Sequence, residues 1–164
     1  MVVLLTGPSA AGKTTVARLL AERFERGVHL EGDLFRRAIV RGRVEMTPGA
    51  EDDQLAQLEL RYRIAAAAAD AYAAAGFTVV HEDVVAGPLL ARHARETTIV
   101  LLPSLEPLER RAAARAQAYG AFTPAELHRL FSEQTPRVGT WIHTTAQAPE
   151  ETVDAILAQL PSCA

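Results

Sequence analysis

Gly7-Pro8-Ser9-Ala10-Ala11-Gly12-Lys13-Thr14 reads G-x-x-x-x-G-K-[ST], and it lies between the apolar run Val2-Val3-Leu4-Leu5 and a helical pattern. That flanking context is the one in which this spacing binds phosphate. Two glycines let the backbone turn so that successive N–H groups converge on phosphate oxygens. Lys13 is then placed to reach the β- and γ-phosphates, and the Thr14 hydroxyl to ligate Mg²⁺. The following helix presents its N-terminus to the anion. Gly7, Ser9, Ala10, Ala11, Gly12, Lys13, Thr14 and Thr15 are therefore the expected triphosphate contacts.

Working outward, Val2 to Leu5 is a short continuous apolar run, as expected of a parallel strand buried on both faces. Val16, Leu20 and Phe24 recur at i, i+4 and i+8 with Ala17 and Ala21 beside them, which makes one apolar helical face. Further apolar runs at residues 27–30, 77–81, 98–102 and 139–144 join the first at 2–6. They alternate with helical patterns at about 13–26, 34–41, 54–75, 105–119, 124–133 and 149–160. Such alternation predicts an α/β fold with a parallel sheet covered by helices on both faces.

Some helix ends are marked. Thr123-Pro124-Ala125-Glu126 is a capping box with proline at the first helical position. Pro149-Glu150-Glu151 opens the last helix with acids suited to the positive end of its dipole, although Ala148 is a poor cap. Gly76 closes the alanine-rich helix.

The chain has 164 residues, the size of one domain, so a single domain over 1–164 has to hold every substrate. A formal charge of −3 provides no broad basic field and makes nucleic acid an unexpected partner. The single cysteine, Cys163, excludes a disulfide framework. Residues 64–75 are the most apolar stretch, but they are too short to span a bilayer and carry Asp70. The first residues show no secretory leader pattern, and a cytoplasmic chain is expected.

In an open parallel sheet, ligands bind beyond the carboxyl ends of the strands. Asp33 follows the second strand and Gly32, where its carboxylate can accept a proton from an attacking hydroxyl, or else cap the helix beginning at Leu34. Of Arg36 and Arg37, one is expected to turn inward to the substrate. The third strand runs into His81-Glu82-Asp83, a pattern in which a carboxylate holds Mg²⁺; Asp83 is the favoured metal ligand and a substrate contact, with Glu82 the alternative. Arg110, Arg111 and Arg115 fall on a lid of about residues 109–124, where arginines can neutralise charge on a transferring phosphoryl group. Arg137 can pack on the nucleotide base, and the loop at 41–53, with Met46, belongs to the acceptor site.

Gly7 to Thr14, Gly32-Asp33, Glu82-Asp83 and the arginines around Arg115 together resemble the P-loop small-molecule kinases of the nucleoside/nucleotide-kinase-like group. The chain is most similar there to chloramphenicol phosphotransferase-like proteins, with adenylylsulfate, gluconate and shikimate kinases as more distant relatives. The resemblance implies a three-layer fold with a five-stranded parallel sheet in the order 2-3-1-4-5, a small lid, and transfer of the ATP γ-phosphate to a hydroxyl. It implies Lys13, Asp33 and Arg115 as catalytic residues, Arg111 and Arg137 on the nucleotide, and Mg²⁺ as cofactor. Close relatives carry an aspartate where His143 stands, so no role is assigned to that position.

The leading reading is thus a kinase using ATP (or GTP) and Mg²⁺ to phosphorylate a small hydroxylated metabolite or antibiotic. A nucleoside or nucleotide kinase is the neighbouring alternative; a nucleotide acceptor calls for two or more inward arginines, for which Arg36, Arg37, Arg61 and Arg63 are available. A regulatory nucleotide-binding ATPase is the reading from another class. A guanine-nucleotide switch would need an Asn-Lys-x-Asp element, and the chain contains no asparagine. A homodimer stays open.

Overall fold

Each strand of the sheet is short, apolar and hydrogen-bonded on the pattern expected of a buried parallel sheet. The computed structural model describes residues 1–114 and 121–161. β1 (Val2–Thr6) lies at the centre, paired in parallel with β3 (Thr78–Glu82) on one side and β4 (Thr97–Leu101) on the other. β2 (Gly27–Glu31) adds to β3, and β5 (Thr140–Ile142) to β4. The resulting order, β2-β3-β1-β4-β5, is the one the family resemblance implies.

Alternate residues of β1 enter opposite layers. Val3 and Leu5 pack with Val16 and Leu20 of α1 (Lys13–Ala21), Leu108 of α5 (Leu105–Ala113) and Ile156 of α7 (Pro149–Leu157). Leu4 faces the other way, onto Tyr62 of α3 (Asp52–Ala74), Leu90 of α4 (Pro88–His93) and Phe131. Burying a side chain of this size stabilises by about 1.5–3 kcal/mol. Ala65 and Ala69 are the completely buried positions of the alanine run, and their small size lets α3 lie directly on the sheet.

Departures from the expected elements have local causes. α4 was not anticipated: it is six residues long with only Leu90 buried, too short to show a period. The helix expected at 34–41 ends early as α2 (Asp33–Arg37), since beyond it Val40 is 97% exposed and has no core to pack on. The helix expected at 124–133 is α6 (Pro124–Arg129) followed by a π-helical turn, Leu130–Gln134, which carries the buried Phe131 inward. The Thr123 capping box forms as expected, while at α7 the Glu151 carboxylate takes the Ala148 N–H in place of a capping side chain. Among the described residues no helix is long and apolar enough to cross a membrane.

Candidate active site

The row of strand ends is stitched together by backbone. Gly32 N donates to Glu82 O at 2.9 Å and Asp83 N to Leu5 O at 3.2 Å, so the segments that follow β2, β3 and β1 lie side by side. Thr6 Oγ1 accepts from Val85 N and donates to Val85 O, which pins the turn after β3 beside the phosphate loop.

The loop itself has two left-handed residues, Ala10 (φ 66°) and Gly12 (φ 93°), the alternation that points backbone N–H groups into one concavity. Gly7 is required for a different reason. Its φ is +146°, and a Cβ there would stand 2.3 Å from Leu101 O, because the loop leaves β1 in contact with the end of β4. Ala10 and Ala11 are buried in the core, whereas Thr14 and Thr15 are exposed on the first turn of α1. Lys13, the only lysine in the chain, is 8% exposed and its Nζ donates to Pro8 O at 3.0 Å across the loop. From α5, Arg111 Nη1 reaches Ala10 O at 3.5 Å.

Of the two acids ending β3, Glu82 meets the phosphate loop: Thr14 Oγ1 donates to its Oε1 at 2.8 Å. Burial pushes the Glu82 carboxyl up, but the His29 imidazole, the Lys13 charge and the Thr14 hydroxyl outweigh it and hold the group below the usual carboxylate range. The approach of His29 Nε2, 3.9 Å from Oε1, is electrostatic and too long for a hydrogen bond. A hydroxyl and an ionised carboxylate 2.8 Å apart are the hard oxygen donors that Mg²⁺ takes. Asp83, favoured from sequence, turns elsewhere: its Oδ1 accepts from Arg61 Nη2 at 2.8 Å and from Val84 N at 2.7 Å.

Gly32 explains why an aspartate can follow β2 so closely beside another on β3. A Cβ at residue 32 would fall 2.0 Å from Asp83 Oδ2. Asp33 lies in the first turn of α2 and makes no cap bond; its carboxylate accepts from Arg36 Nε at 2.6 Å and Arg37 Nη1 at 2.9 Å, with Arg61 Nη1 at 3.9 Å. Burial raises its pKa, but the Arg36 hydrogen bond and the charges of Arg36, Arg37 and Arg61 bring the net value below normal. Arg36 is the inward member of the pair, since it bridges Asp33 and Glu45, while Arg37 is half exposed between Asp33 and Glu31.

Next to this corner, α2, the loop from 38 to 51 and α3 enclose a pocket of about 60 Å³, open on one side. Phe35, Ile39, Val44, Met46, Leu58 and Ile64 form most of its wall, and Arg36 and Arg61 also line it. The 41–53 loop contributes Val44 and Met46 to this pocket, while the hydrophobic α3 positions had no distinguishing signal. Their apolar spacing reads equally well as core. Arg61 was visible only as one of four candidates; its position opposite Asp83 depends on a contact 22 residues apart.

Arg137 is exposed at the other end of the site, with Cζ 4.1 Å from the Trp141 ring centroid, and His143 is exposed just beyond β5. Arg115 lies outside the described residues, as does most of the lid beyond Ala114.

No curated protein matches the chain in sequence. Solved structures do match in fold. A sugar kinase from Janibacter sp. HTCC2649 has 21% identity and a TM-score of 0.68, covering 96% of this chain and 92% of its own. The tunicamycin resistance protein of Deinococcus radiodurans has 19% identity and a TM-score of 0.67, covering 96% and 94%. A shikimate kinase from Acinetobacter baumannii, in complex with shikimate, has 21% identity and a TM-score of 0.66, covering 96% and 91%. At such identities the likeness speaks for the fold. Membership is shown separately, by a family model described as an AAA domain that matches residues 2–137, from the first residue of β1 through Arg137, and the chain belongs to that family of P-loop kinase-like domains.

Proposed function

We propose that the protein transfers the γ-phosphoryl group of ATP to a hydroxyl of a small molecule, with GTP the alternative donor. The observation that carries this reading is the contact of Thr14 with Glu82 at 2.8 Å, directly beside the Asp33–Arg61–Asp83 cluster and its pocket. The phosphate loop and the Asp33–Arg61–Asp83 cluster then lie side by side beyond the carboxyl ends of β1, β2 and β3.

The phosphate loop would hold the β- and γ-phosphates through its backbone N–H groups, with the Lys13 ammonium swinging from Pro8 O to phosphate oxygen. Thr14 and Glu82 would hold Mg²⁺, which supplies neutralisation of charge on the β- and γ-oxygens. The acceptor oxygen attacks the γ-phosphorus as the bond to the β–γ bridging oxygen breaks, leaving its electron pair on ADP. The proton of the acceptor passes to Asp33. An aspartate held below its usual pKa is a weak base for a free alcohol, and it suits a loose transition state in which the proton leaves late. Asp33 therefore acts chiefly by orienting the hydroxyl. Arg111, already at the loop, and Arg115 would meet the transferring phosphoryl group from the lid, and Arg137 the base. A cytoplasmic setting supplies the nucleotide.

The test is release of ADP and of phosphorylated product over a panel of hydroxylated compounds, wild type against Lys13→Ala. Turnover should fall by about 10²–10³-fold in the variant. Turnover near wild type in Lys13→Ala would sink the assignment.

A further inference from the structure

From Ile64 to Ala74 the only charged residue of α3 is Asp70, so this half of the helix is apolar on every side. Its inner face is accounted for, since Tyr62, Ala65 and Ala69 are buried against the sheet. A helix that is apolar all round is ordinarily buried all round. The face turned away from the sheet is not. Leu60 is 38% and Ile64 42% exposed, and Ala67, Ala71 and Ala74 are exposed in line with them.

These residues recur at intervals of 4, 3, 4 and 3, the seam along which two helices pack lengthwise. The large aliphatic side chains occupy one end of the seam and the alanines the other. In a parallel pair, large would meet large and the alanine halves would face each other across a gap. Reversing one helix sets large against small, Ile64 against Ala67 and Leu60 against Ala71, which is how a packed seam fills its space.

Charge adds an independent constraint. Arg63 and Asp70 are both exposed, about two turns apart, and lie on the same flank of the seam. Among the described residues Arg63 has no ion pair. Arg95 Nη2 stands 3.1 Å from Asp70 Oδ1, yet 58% of the Asp70 side chain stays exposed. A two-fold axis across antiparallel helices brings a flank to the same flank, and if residue i meets j, then j meets i. An axis beside Ala67 therefore sets Arg63 of each copy opposite Asp70 of the other.

We infer that the outer face of α3 is the contact surface for a second copy of this chain, packed antiparallel about a two-fold axis beside Ala67. Leu60 and Ile64 also line the pocket between α2, the 38–51 loop and α3, so the second helix lies along that pocket's rim.

Sedimentation of the full chain from micromolar to millimolar concentration tests this. The wild type should pass from monomer to dimer over that range. Ala67→Glu keeps a good helix former at an exposed position and sets two carboxylates together at the axis; it should stay monomeric throughout, with unchanged circular dichroism. Arg63→Glu and Asp70→Arg each turn both ion pairs into like-charge contacts, and each should weaken self-association about tenfold. Mixing these two variants restores opposite charges at both contacts, so the mixture should dimerise as the wild type does. Damage to the fold of either chain could not produce that rescue. A wild type that stays monomeric up to millimolar concentration would overturn the inference and leave the face to a different partner or to water. A dimer that all three substitutions leave intact, or one that mixing does not restore, would also overturn it, because the contact would then lie elsewhere on the molecule.

Discussion

The two halves of the proposed site, donor and acceptor, are built from different materials. On the donor side, backbone does most of the work: eight consecutive residues, two of them glycine, set the loop, and Gly7 touches the backbone of β4. On the acceptor side, side chains do it, through ion pairs and amides linking α2, a loop and α3. Backbone geometry tolerates few substitutions, whereas a side-chain wall can be re-cut for another substrate while the sheet beneath it stays the same.

Matched glycine substitutions probe this contrast with the largest expected effect. Gly7→Ala places a methyl 2.3 Å from a carbonyl of β4 at a φ that L residues rarely adopt, and should cost on the order of 4 kcal/mol or fail to fold in thermal unfolding. Gly32→Ala meets the side chain of Asp83, not backbone. It should remain folded and lose acceptor binding; equal destabilisation by the two would erase the distinction. Asp33→Asn should lower kcat by about 10²-fold while leaving the KM for ATP nearly unchanged, because the residue serves the acceptor half. A rise in the KM for ATP of similar size would move Asp33 to the donor half.

Glu82→Gln should do the opposite, raising the Mg²⁺ concentration for half-maximal rate by about tenfold with the acceptor KM unchanged. If Asp83→Asn gave that Mg²⁺ effect and Glu82→Gln did not, the geometry at Thr14 would be misassigned. The smallest effect concerns His81, buried in β3 beside both acids. Burial, the largest influence, holds its imidazole below the usual value of 6.5. The unfolded chain then takes up the proton first on acidification, so stability is complete above pH 6.5 and declines below it. In His81→Gln the denaturation midpoint should lose that part of its pH dependence; an unchanged slope would assign it to the carboxylates alone.

The same division governs what could be read from the sequence. The parallel sheet and the phosphate loop were legible because they depend on residues close in the chain, such as the Val2–Leu5 run, the Gly7–Thr14 spacing and the period of Val16, Leu20 and Phe24, whereas the order of the strands came only from the family resemblance. Glu82 against Asp83 was not, since a strand alternates its faces and a choice between neighbours needs to know which face meets Thr14. Arg61 was legible only as one of four candidate arginines, and the pocket wall was hidden: Leu58 and Ile64 look like core until α2 and the loop from 38 to 51 are laid over them. α4 escaped because six residues make fewer than two turns, too few for an apolar repeat to recur.

That Lys13 is the single lysine, folded over its own loop onto Pro8 O, gives the protein an unusual chemical simplicity. Apart from the α-amino group, an amine-acylating reagent has one target in the whole molecule, and that target sits where the triphosphate would lie. The mass added at Lys13, read with and without nucleotide, would therefore report occupancy of the donor site directly, with no acceptor known and no turnover required.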